Sequence, residues 1–240
     1  MKKLAIIIPA YNEQDSIEKV VNSLNNLENI GQFVIQPIVV NDCSTDNTAQ
    51  IIEDLDCVKL NLPCNLGIGG AVQTGLIYAR DNDFDYAMQM DGDGQHPANQ
   101  IHLFIEKAMK KDAPDVIIGS RYINKIGFQS SFMRRLGIRF LGFVIKCLTG
   151  LKITDSTSGF RMLNKKALNL VAENYPDEYP EPESILLYKK ANLKIEEIGV
   201  EMKERIGGKS SINELASIYY MIKVSLALLF TNFTKNIKNG

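Results

Sequence analysis

Two carboxylates that stand one residue apart are the most informative chemical feature of the chain. Asp91 and Asp93 follow the strand-like run 86–90 directly, and a glycine follows each of them. A strand that ends in this way would bring two hard oxygen ligands to one point at the edge of a sheet, with Gln95 within reach. Such ligands suit Mg²⁺ or Mn²⁺, which usually takes its remaining ligands from water and substrate phosphates. The alternative is a solvated turn, because Asp and Gly are ordinary turn residues.

The segments on either side of the acidic pair alternate between strand-like and helix-like patterns. Short apolar runs predict buried strands at Leu4–Ile8, Phe33–Val40, Cys57–Leu60, Tyr86–Met90 and Val116–Gly119. Helical spacing predicts helices that end near Leu27 and Leu55, and further helices over Ala71–Arg80 and Ile101–Met109. This alternation predicts an α/β, Rossmann-like fold with a mostly parallel, doubly wound central sheet flanked by helices.

Ligands of such a sheet bind at the carboxyl ends of its strands, which here carry a set of polar residues. The residues that fall there are Tyr11, Asn12, Glu13, Asp42, Asp91 and Asp93. The segment Gly67-x-Gly69-Gly70, ahead of a predicted helix, could approach phosphates, but a tight connection explains it equally well. It is not a Walker loop, because no Gly-Lys-Ser/Thr follows it.

The regular alternation weakens after the fifth predicted strand. A helix is predicted over Ser130–Leu148, where a basic stripe lies beside many large apolar residues. The stripe consists of Arg135, Arg139 and Lys146. The segment is either a core helix with a solvated basic edge or a helix that lies against anionic lipid. Further predictions are a helix over 165–173, an irregular loop over Tyr175–Glu183, a strand over Ile195–Met202 and a basic loop over 204–211.

The last segment, residues 212–234, is strongly apolar and long enough to span a bilayer. Lys223 lies at its middle, where a charged side chain costs roughly 3 kcal/mol. The pattern therefore favours an amphipathic helix at a membrane surface, with packing on the domain itself as the alternative. The predicted division is a main domain over 1–211 and this helix over 212–240.

Composition sets outer limits on function. The 240 residues fit one large α/β domain, and a net charge of −1 gives no footprint for nucleic acid. The four cysteines include no Cys-x-x-Cys pair and only two histidines are present, which argues against a zinc site. Unpaired-looking cysteines are typical of the reducing cytosol. The N-terminus begins like a signal peptide, but its apolar run is short and ends at Pro9, so we interpret it as the first strand.

Seven motifs follow one another from about Leu4 to Ser211. They are Pro9-Ala-Tyr-Asn-Glu, Val40-Asn41-Asp42-Cys43-Ser44-Thr45-Asp46, Asn65-Leu66-Gly67, Asp91-Gly92-Asp93-Gly94-Gln95, Gly119-Ser120-Arg121-Tyr122, Ser158-Gly159-Phe160-Arg161 and Arg205-x-Gly207-Gly208. In this order they resemble family 2 glycosyltransferases of the GT-A fold, in the branch of dolichol-phosphate mannose synthase and bacterial polyprenyl-phosphate glycosyltransferases. The resemblance implies a metal-dependent, inverting transfer of a sugar from a UDP- or GDP-sugar to polyprenyl phosphate, such as undecaprenyl phosphate, in cell-envelope glycan synthesis.

The resemblance also implies roles for individual residues. Those that would hold Mg²⁺ or Mn²⁺ on the donor diphosphate are Asp91, Asp93 and Gln95. Those that would line the nucleotide pocket are Pro9, Tyr11, Glu13 and Asp42. Those that would contact the diphosphate from a closing loop are Arg205 and Lys209. Those that would receive the acceptor phosphate are Arg121 together with Arg135 or Arg139. Catalytic roles are implied for Asp155, Arg121 and Asp93, and Glu183 falls near a later acidic position of the family.

Two departures from the family pattern limit what the resemblance implies. Asn41-Asp42-Cys43-Ser44 stands where Asp-Asp-Gly-Ser is common, which leaves the nucleotide base open. Many lipid-phosphate members also carry two or more transmembrane helices after the catalytic domain, which we do not expect here. The expected location is therefore cytoplasmic and peripheral, on the inner face of the cell membrane. A small separate membrane protein is compatible with this as a partner, and a homo-oligomer is left open.

These patterns leave three functions to compare. The first is transfer to polyprenyl phosphate, whose oxygen is already anionic near pH 7, so that no strong base is needed. The second is transfer to a sugar hydroxyl of a capsule or wall polysaccharide, for which Asp155 or Glu183 would have to act as the base. The third is a non-catalytic membrane scaffold that binds nucleotide sugars, which the intact acidic pair and the arginines disfavour. A nucleotidyltransferase is also disfavoured, because its N-terminal glycine-rich phosphate loop is missing.

Overall fold

Seven strands form one sheet in a computed structural model, which describes residues 1–27, 30–124, 132–204, 221 and 223–231, without the side chains of 132–134. The strands are β1 (Lys2–Ala10), β2 (Phe33–Asn41), β3 (Val58–Asn61), β4 (Tyr86–Gln89), β5 (Val116–Ser120), β6 (Arg161–Asn164) and β7 (Ile195–Gly199). Their order across the sheet is β3-β2-β1-β4-β6-β5-β7. β6 runs antiparallel to its neighbours β4 and β5, and the other four pairs are parallel. The predicted mostly parallel sheet is therefore confirmed.

Helices cover both faces of the sheet. They are α1 (Ile17–Asn25), α2 (Thr48–Glu53), α3 (Gly67–Asp81), α4 (Ile101–Ala108), α5 (Arg121–Asn124), α6 (Phe132–Thr149), α7 (Lys165–Asn174) and α8 (Pro180–Lys190). One core lies between the sheet and α3, α6, α7 and α8, and the other between the sheet and α1, α2 and α4. Ile7 of β1 enters the first core, and its neighbours Ile6 and Ile8 enter the second. Burial on both faces explains the continuous apolar run of this strand.

Two elements differ from the sequence predictions. No strand is predicted over Arg161–Asn164, yet these residues pair with β4 and β5. Only Met162 and Leu163 are apolar in this segment, so it contains no continuous apolar run. The irregular loop predicted over Tyr175–Glu183 is wrong beyond Pro180, where α8 begins. A proline in the first turn lacks only an N–H that has no helical partner, and acidic residues there favour the positive end of the helix. The prolines therefore start a helix instead of preventing one.

The glycine-rich turn before α3 has a packing reason. The helix begins at Gly67, earlier than the predicted Ala71. Gly67 has a φ of +75°, a backbone conformation that favours glycine. A Cβ on Gly69 would lie 2.5 Å from the backbone oxygen of Asp177, so no side chain fits there. The tight-connection explanation therefore accounts for these glycines.

The described part of the C-terminal segment, residues 221 and 223–231, is helical and packs on the domain. Val224 and Leu228 are fully buried in the core that α6 and α8 share. The hydroxyl of Thr231 donates to Glu183 Oε2 at 3.1 Å, which ties the segment to α8. The inner face of this segment therefore packs on the domain. Within the described ranges, no helix is both long and apolar enough to cross a membrane.

Candidate active site

The acidic pair lies in a turn that hydrogen bonds from its own backbone hold in place. The amide of Asp91 donates to His96 Nδ1 at 3.0 Å, and the amide of Gln95 donates to Asp93 Oδ1 at 2.9 Å. His96 is buried and stacks on Phe160, with 4.5 Å between the ring centroids. Burial lowers the pKa of His96 to about 4, so the ring is neutral near pH 7 and its Nδ1 can accept the Asp91 amide.

A cavity of about 690 Å³, which we call the acidic cavity, opens beside this turn. Its lining includes five carboxylates, which are Glu13, Asp42, Asp91, Asp93 and Glu181. Neither lysine nor arginine is among the described residues of the lining. Because the carboxylates would repel an anionic diphosphate, the cavity could take one only together with positive charge, such as a divalent cation.

The donor atoms at Asp91 and Asp93 fit Mg²⁺ or Mn²⁺. Among the residues that the structure describes, no three His, Cys, Asp or Glu side chains are grouped closely enough to hold a metal by themselves. Mg²⁺ commonly binds through one or two carboxylates and takes its other ligands from water and substrate phosphates. Asp93 is almost completely buried, whereas the side chain of Asp91 is 36% exposed at the cavity wall. These two carboxylates would hold such an ion where it could reach a bound diphosphate.

Side-chain hydrogen bonds join the loops around the acidic cavity into one wall. Asn12 Oδ1, after β1, accepts from the amide of Thr45, after β2, at 2.8 Å. Asp42 Oδ1 accepts from the amide of Leu66 at 2.7 Å, which adds the turn before α3. The residues predicted for the nucleotide pocket line this one cavity, and they are Pro9, Tyr11, Glu13 and Asp42.

Cys43 shows what one departure from the family pattern does locally. Its φ is +58°, in the left-handed region where glycine, the common family residue at this place, is favoured. A cysteine in that conformation costs about 1 kcal/mol. Its Sγ lies 3.9 Å from the backbone oxygen of Pro63, against the next loop. Cys43 therefore takes a backbone conformation that favours glycine, although it carries a side chain.

A buried ion pair lies next to the acidic cavity. Asp155 is fully buried, and its two oxygens accept from Arg121 Nε and Nη2 at 2.7 Å each. Burial acts to lower the pKa of Arg121, but the hydrogen bonds and charge of Asp155, and the charge of Asp91, raise it overall. Arg121 is therefore a fixed cation near Asp91. Because both of its oxygens are engaged, Asp155 is placed to hold Arg121 and poorly placed to remove a proton.

A second cavity, of about 670 Å³, is lined by cations and apolar side chains, and we call it the basic cavity. Its four cations are Arg135, Arg139, Lys146 and Lys152. Its apolar walls include Ile138, Phe143 and Ile153. Tyr122 and Thr154, the chain neighbours of Arg121 and Asp155, complete the side nearest the ion pair. The ion pair therefore has chain neighbours in the lining of the basic cavity, and Arg121 is close enough to Asp91 of the acidic cavity to feel its charge.

The structure brings most of the predicted site residues together and leaves a few apart. Arg135 and Arg139 line the basic cavity, as expected for residues that receive an acceptor phosphate. Gln95 is not in the lining of the acidic cavity; its Nε2 donates weakly to the backbone oxygen of Lys203 at 3.5 Å. The remaining two predicted residues, Arg205 and Lys209, lie outside the described residues.

Glu181 is a carboxylate of the site that the sequence predictions missed. Glu183, the residue singled out instead, is buried against Thr231, whereas Glu181 lines the acidic cavity. Residues two apart on a helix point about 200° from each other, so only one of the two can face the cavity. Burial raises the pKa of Glu181, and the nearby Arg161 charge opposes that rise. Which of the two carboxylates faces the cavity depends on where α8 begins, and the sequence did not reveal its start at Pro180.

The motif 158–161 packs against the acidic pair and against the start of α8. A Cβ on Gly159 would lie 2.6 Å from Gln89 Nε2 and 3.0 Å from Asp91 Oδ1, so only glycine can pass beneath the acidic pair. Arg161 is buried and donates to the backbone oxygen of Glu181 at 2.7 Å. It also donates to the backbone oxygens of Ser156 and Ser158. This motif therefore ties α8 to the loop that carries Asp155, and it packs against Asp91 and Glu181 without itself being part of either cavity's described lining.

The chain is similar to known proteins both in sequence and in fold. The family described as Glycosyl transferase family 2 matches residues 5–171. The chain is 32% identical to a UDP-N-acetylglucosamine–dolichyl-phosphate N-acetylglucosaminyltransferase of Methanococcus voltae, over 83% of this chain and 85% of that protein. It is 29% identical to a dolichyl-phosphate beta-glucosyltransferase of Trichomonas vaginalis, over 94% of this chain and 72% of that protein.

Among solved structures, the fold is similar to glucosyl-3-phosphoglycerate synthase of Mycobacterium tuberculosis in complex with Mn²⁺, UDP and glucosyl-3-phosphoglycerate. The TM-score is 0.72 at 16% identity, over 96% of this chain and 80% of that chain. The fold and the motifs thus define a glycosyltransferase of the GT-A fold. Within that class the chain belongs to glycosyltransferase family 2, and the resemblance inferred from its motifs is confirmed.

Proposed function

We propose that the protein transfers a sugar from a nucleotide-sugar donor to a polyprenyl phosphate at a membrane surface. The observation that carries this proposal is the basic cavity, which combines four cations with apolar walls next to Arg121. A phosphate head would be held by the cations and an isoprenoid tail by the apolar walls. A saccharide acceptor would require polar and aromatic contacts instead. Two relatives that are named as dolichyl-phosphate glycosyltransferases support the same acceptor class.

The acidic cavity is the proposed donor site. Asp91 and Asp93 would hold Mg²⁺ or Mn²⁺, which when bound would neutralise charge on the diphosphate leaving group. Tyr11 and Asp42 would line the place of the nucleotide, as the family resemblance implies. The structurally similar synthase binds UDP with Mn²⁺, which supports a uridine nucleotide as the first donor to test. Arg205 and Lys209 would add the positive charge that the described lining lacks.

The proposed chemistry needs no general base. An anionic oxygen of the acceptor phosphate would attack the anomeric carbon, forming a new carbon–oxygen bond while the bond to the nucleoside diphosphate breaks. In-line displacement inverts the anomeric centre, and the acceptor has no proton to lose. Arg121, held by Asp155, and Arg135 would orient the phosphate oxygen toward that carbon. The work of these residues is therefore positioning and charge stabilisation.

A mass-spectrometric panel tests this function. The purified full-length protein would be given Mn²⁺ or Mg²⁺ and UDP-, GDP- or dTDP-sugars, with undecaprenyl phosphate, dolichyl phosphate or a soluble oligosaccharide as acceptor. With at least one donor, we expect a product in which the sugar is joined to the polyprenyl phosphate. Transfer to the oligosaccharide but to neither lipid would contradict the proposal.

The second candidate, transfer to a sugar hydroxyl, is tested by Glu181→Gln. Because Asp155 is engaged with Arg121 and Glu183 faces Thr231, Glu181 is the carboxylate best placed to act as a base. With a lipid phosphate acceptor there is no proton to remove, so we expect kcat to fall by less than about 10-fold. Loss of a general base would cost roughly 10²- to 10⁴-fold. Initial rates measure the difference, with Glu178→Gln on the same segment as an exposed control; a loss in the larger range would favour the hydroxyl acceptor.

The proposed membrane contact is an apolar face on α6 next to the C-terminal segment. α6 exposes Leu136, Phe140 and Phe143, interleaved with the cations Arg139 and Lys146. The outer face of the C-terminal segment exposes Leu226, Leu229 and Phe230. Large exposed apolar residues mixed with basic ones fit the surface of an anionic bilayer. Phe143 also lines the basic cavity, so this face would present the cavity to lipid.

Flotation with vesicles of phosphatidylcholine and phosphatidylglycerol tests this contact. We expect the double variant Phe140→Ser, Phe143→Ser to bind these vesicles at least about 10-fold more weakly, because two large side chains no longer enter the lipid. Met109→Ser, equally exposed but on α4's side of the sheet, should bind like the parent. Equal binding of the parent and the double variant would contradict the assignment. Deletion of 212–240 is a poorer test, because it also removes the core residues Val224 and Leu228.

A further inference from the structure

The loop that carries Asp155 is held by a carboxylate that lines neither cavity. Glu197 belongs to β7 at the edge of the sheet, beside β5. Its Oε1 accepts from the amide of Asp155 at 2.9 Å and from the hydroxyl of Thr154 at 3.1 Å. Its Oε2 accepts from the amide of Thr154 at 2.8 Å. One half-buried side chain therefore fixes two consecutive residues of this loop.

The same network reaches the end of β5. The hydroxyls of Ser120 and Thr154 lie 2.7 Å apart. An ionised carboxylate only accepts hydrogen bonds, so Thr154 must donate to Glu197, and Ser120 must then donate to Thr154. Ser120 Oγ also accepts from the amide of Tyr122 at 3.2 Å. The residues on both sides of Arg121 are thus linked to Glu197.

From this geometry we infer that Glu197 is a positioning residue of the acceptor site. It sets the loop at Asp155, and Asp155 in turn sets the direction of the Arg121 guanidinium. The inference rests on the proposed function to the extent that Arg121 receives the acceptor phosphate. Glu197 itself lines neither cavity, and it acts through Asp155 and through Thr154, which lines the basic cavity.

The charge of Glu197, rather than its volume, is what this role requires. Burial raises the pKa of Glu197, and the hydrogen bonds from Thr154 and Asp155 oppose that rise. Removing a carboxylate from water is costly, and the three hydrogen bonds that its two oxygens accept offset this cost. A glutamine has the same shape, but its NH₂ group would face the amide of Thr154 in one orientation and that of Asp155 in the other. Glu197→Gln must therefore lose at least one of these hydrogen bonds.

Kinetics with a short-chain polyprenyl phosphate provide the first test. We expect Glu197→Gln to raise the KM for the lipid phosphate about 10-fold, the effect of one lost hydrogen bond to a charged group, and to leave the donor KM within about 2-fold. Glu196→Gln is the matched control, because Glu196 is the preceding residue of the same strand but pairs with Lys107 and Lys194 at the surface. With an active parent, an unchanged acceptor KM, or an equal rise of both KM values, would overturn the inference.

A second measurement separates this inference from the proposed function. The Nε–H signal of Arg121 in nitrogen-15 spectra, assigned by its absence in Arg121→Lys, reports how firmly the guanidinium is held. We expect its exchange with water to be at least about 10-fold faster in Glu197→Gln than in the parent or in Glu196→Gln. Faster exchange would support the positioning role even if the parent proved inactive on lipid phosphates. Inactivity of the parent would refute the proposed function but not this inference. Unchanged exchange in Glu197→Gln would overturn the inference whatever the kinetics show.

Discussion

Replacing Asp93 by Asn is expected to lower turnover by about 10³-fold or more while the fold survives. Asp93 is nearly buried, and its Oδ1 accepts from the amide of Gln95. Asparagine retains an oxygen that can accept this bond, so the turn should be preserved. The change removes a negative charge that would hold the divalent ion on the donor diphosphate, and charge stabilisation of the leaving group depends on that ion.

The measurement is the initial rate of glycosyl transfer, accompanied by thermal unfolding. Excess EDTA should inactivate the parent to a similar degree, and added Mn²⁺ or Mg²⁺ should restore it. Asp83→Asn is a suitable control, because Asp83 lies on the surface in an ion pair with Lys165, and asparagine tolerates its positive φ. Full activity of the parent in excess EDTA would refute the metal role of the acidic pair.

Replacing Arg135 by Ala is expected to raise the KM for polyprenyl phosphate far more than the KM for the donor. A charge-assisted contact of roughly 1.5–3 kcal/mol corresponds to about 10- to 150-fold. Arg135 is half-buried in the basic cavity, so its contact with a phosphate would be only partly screened by water. Arg139 is exposed, and for Arg139→Ala we expect an effect at the lower end of this range or below it.

Donor binding by calorimetry should be nearly unchanged in both variants, because the acidic cavity is lined by the loops after β1, β2 and β4, the start of α3 and Glu181, and by no residue of α6. Arg80→Ala is the matched control: Arg80 lies on α3, paired with Asp81 and Glu173 away from both cavities. An acceptor KM equal to that of the parent in both α6 variants would move the acceptor phosphate out of the basic cavity. The polysaccharide acceptor would then become the better explanation.

Most of the donor half of the site was predictable from the sequence. Parallel strands end at the same edge of a sheet, so the polar residues that follow β1, β2 and β4 had to meet there. The lining of the acidic cavity by Glu13, Asp42, Asp91 and Asp93 confirms that placement. Their individual roles in binding donor and metal remain predictions, for which the Asp93 variant is the first test.

The basic stripe on α6 was predictable because helical spacing places residues four apart on one face. The sequence left open whether this helix lies in the core or against lipid, and the tertiary structure shows a buried face and an exposed one. Ile138, Leu141 and Ile145 enter the core, whereas Phe140 and Phe143 remain exposed. Which face is covered depends on the neighbouring α8 and C-terminal segment, and helical spacing alone does not specify those neighbours.

The sequence by itself determined the fold class, the acidic pair and the family, because these depend on local patterns: apolar runs, turn residues and short motifs. Only the tertiary structure decided that Glu181 rather than Glu183 faces the acidic cavity, and that Asp155 is engaged by Arg121. Only the tertiary structure brought Glu197 into hydrogen-bonding contact with Asp155, which is more than forty residues away along the chain. Contacts of this kind depend on the rotation of a helix about its axis and on which strands become neighbours, and both are set when the two cores pack.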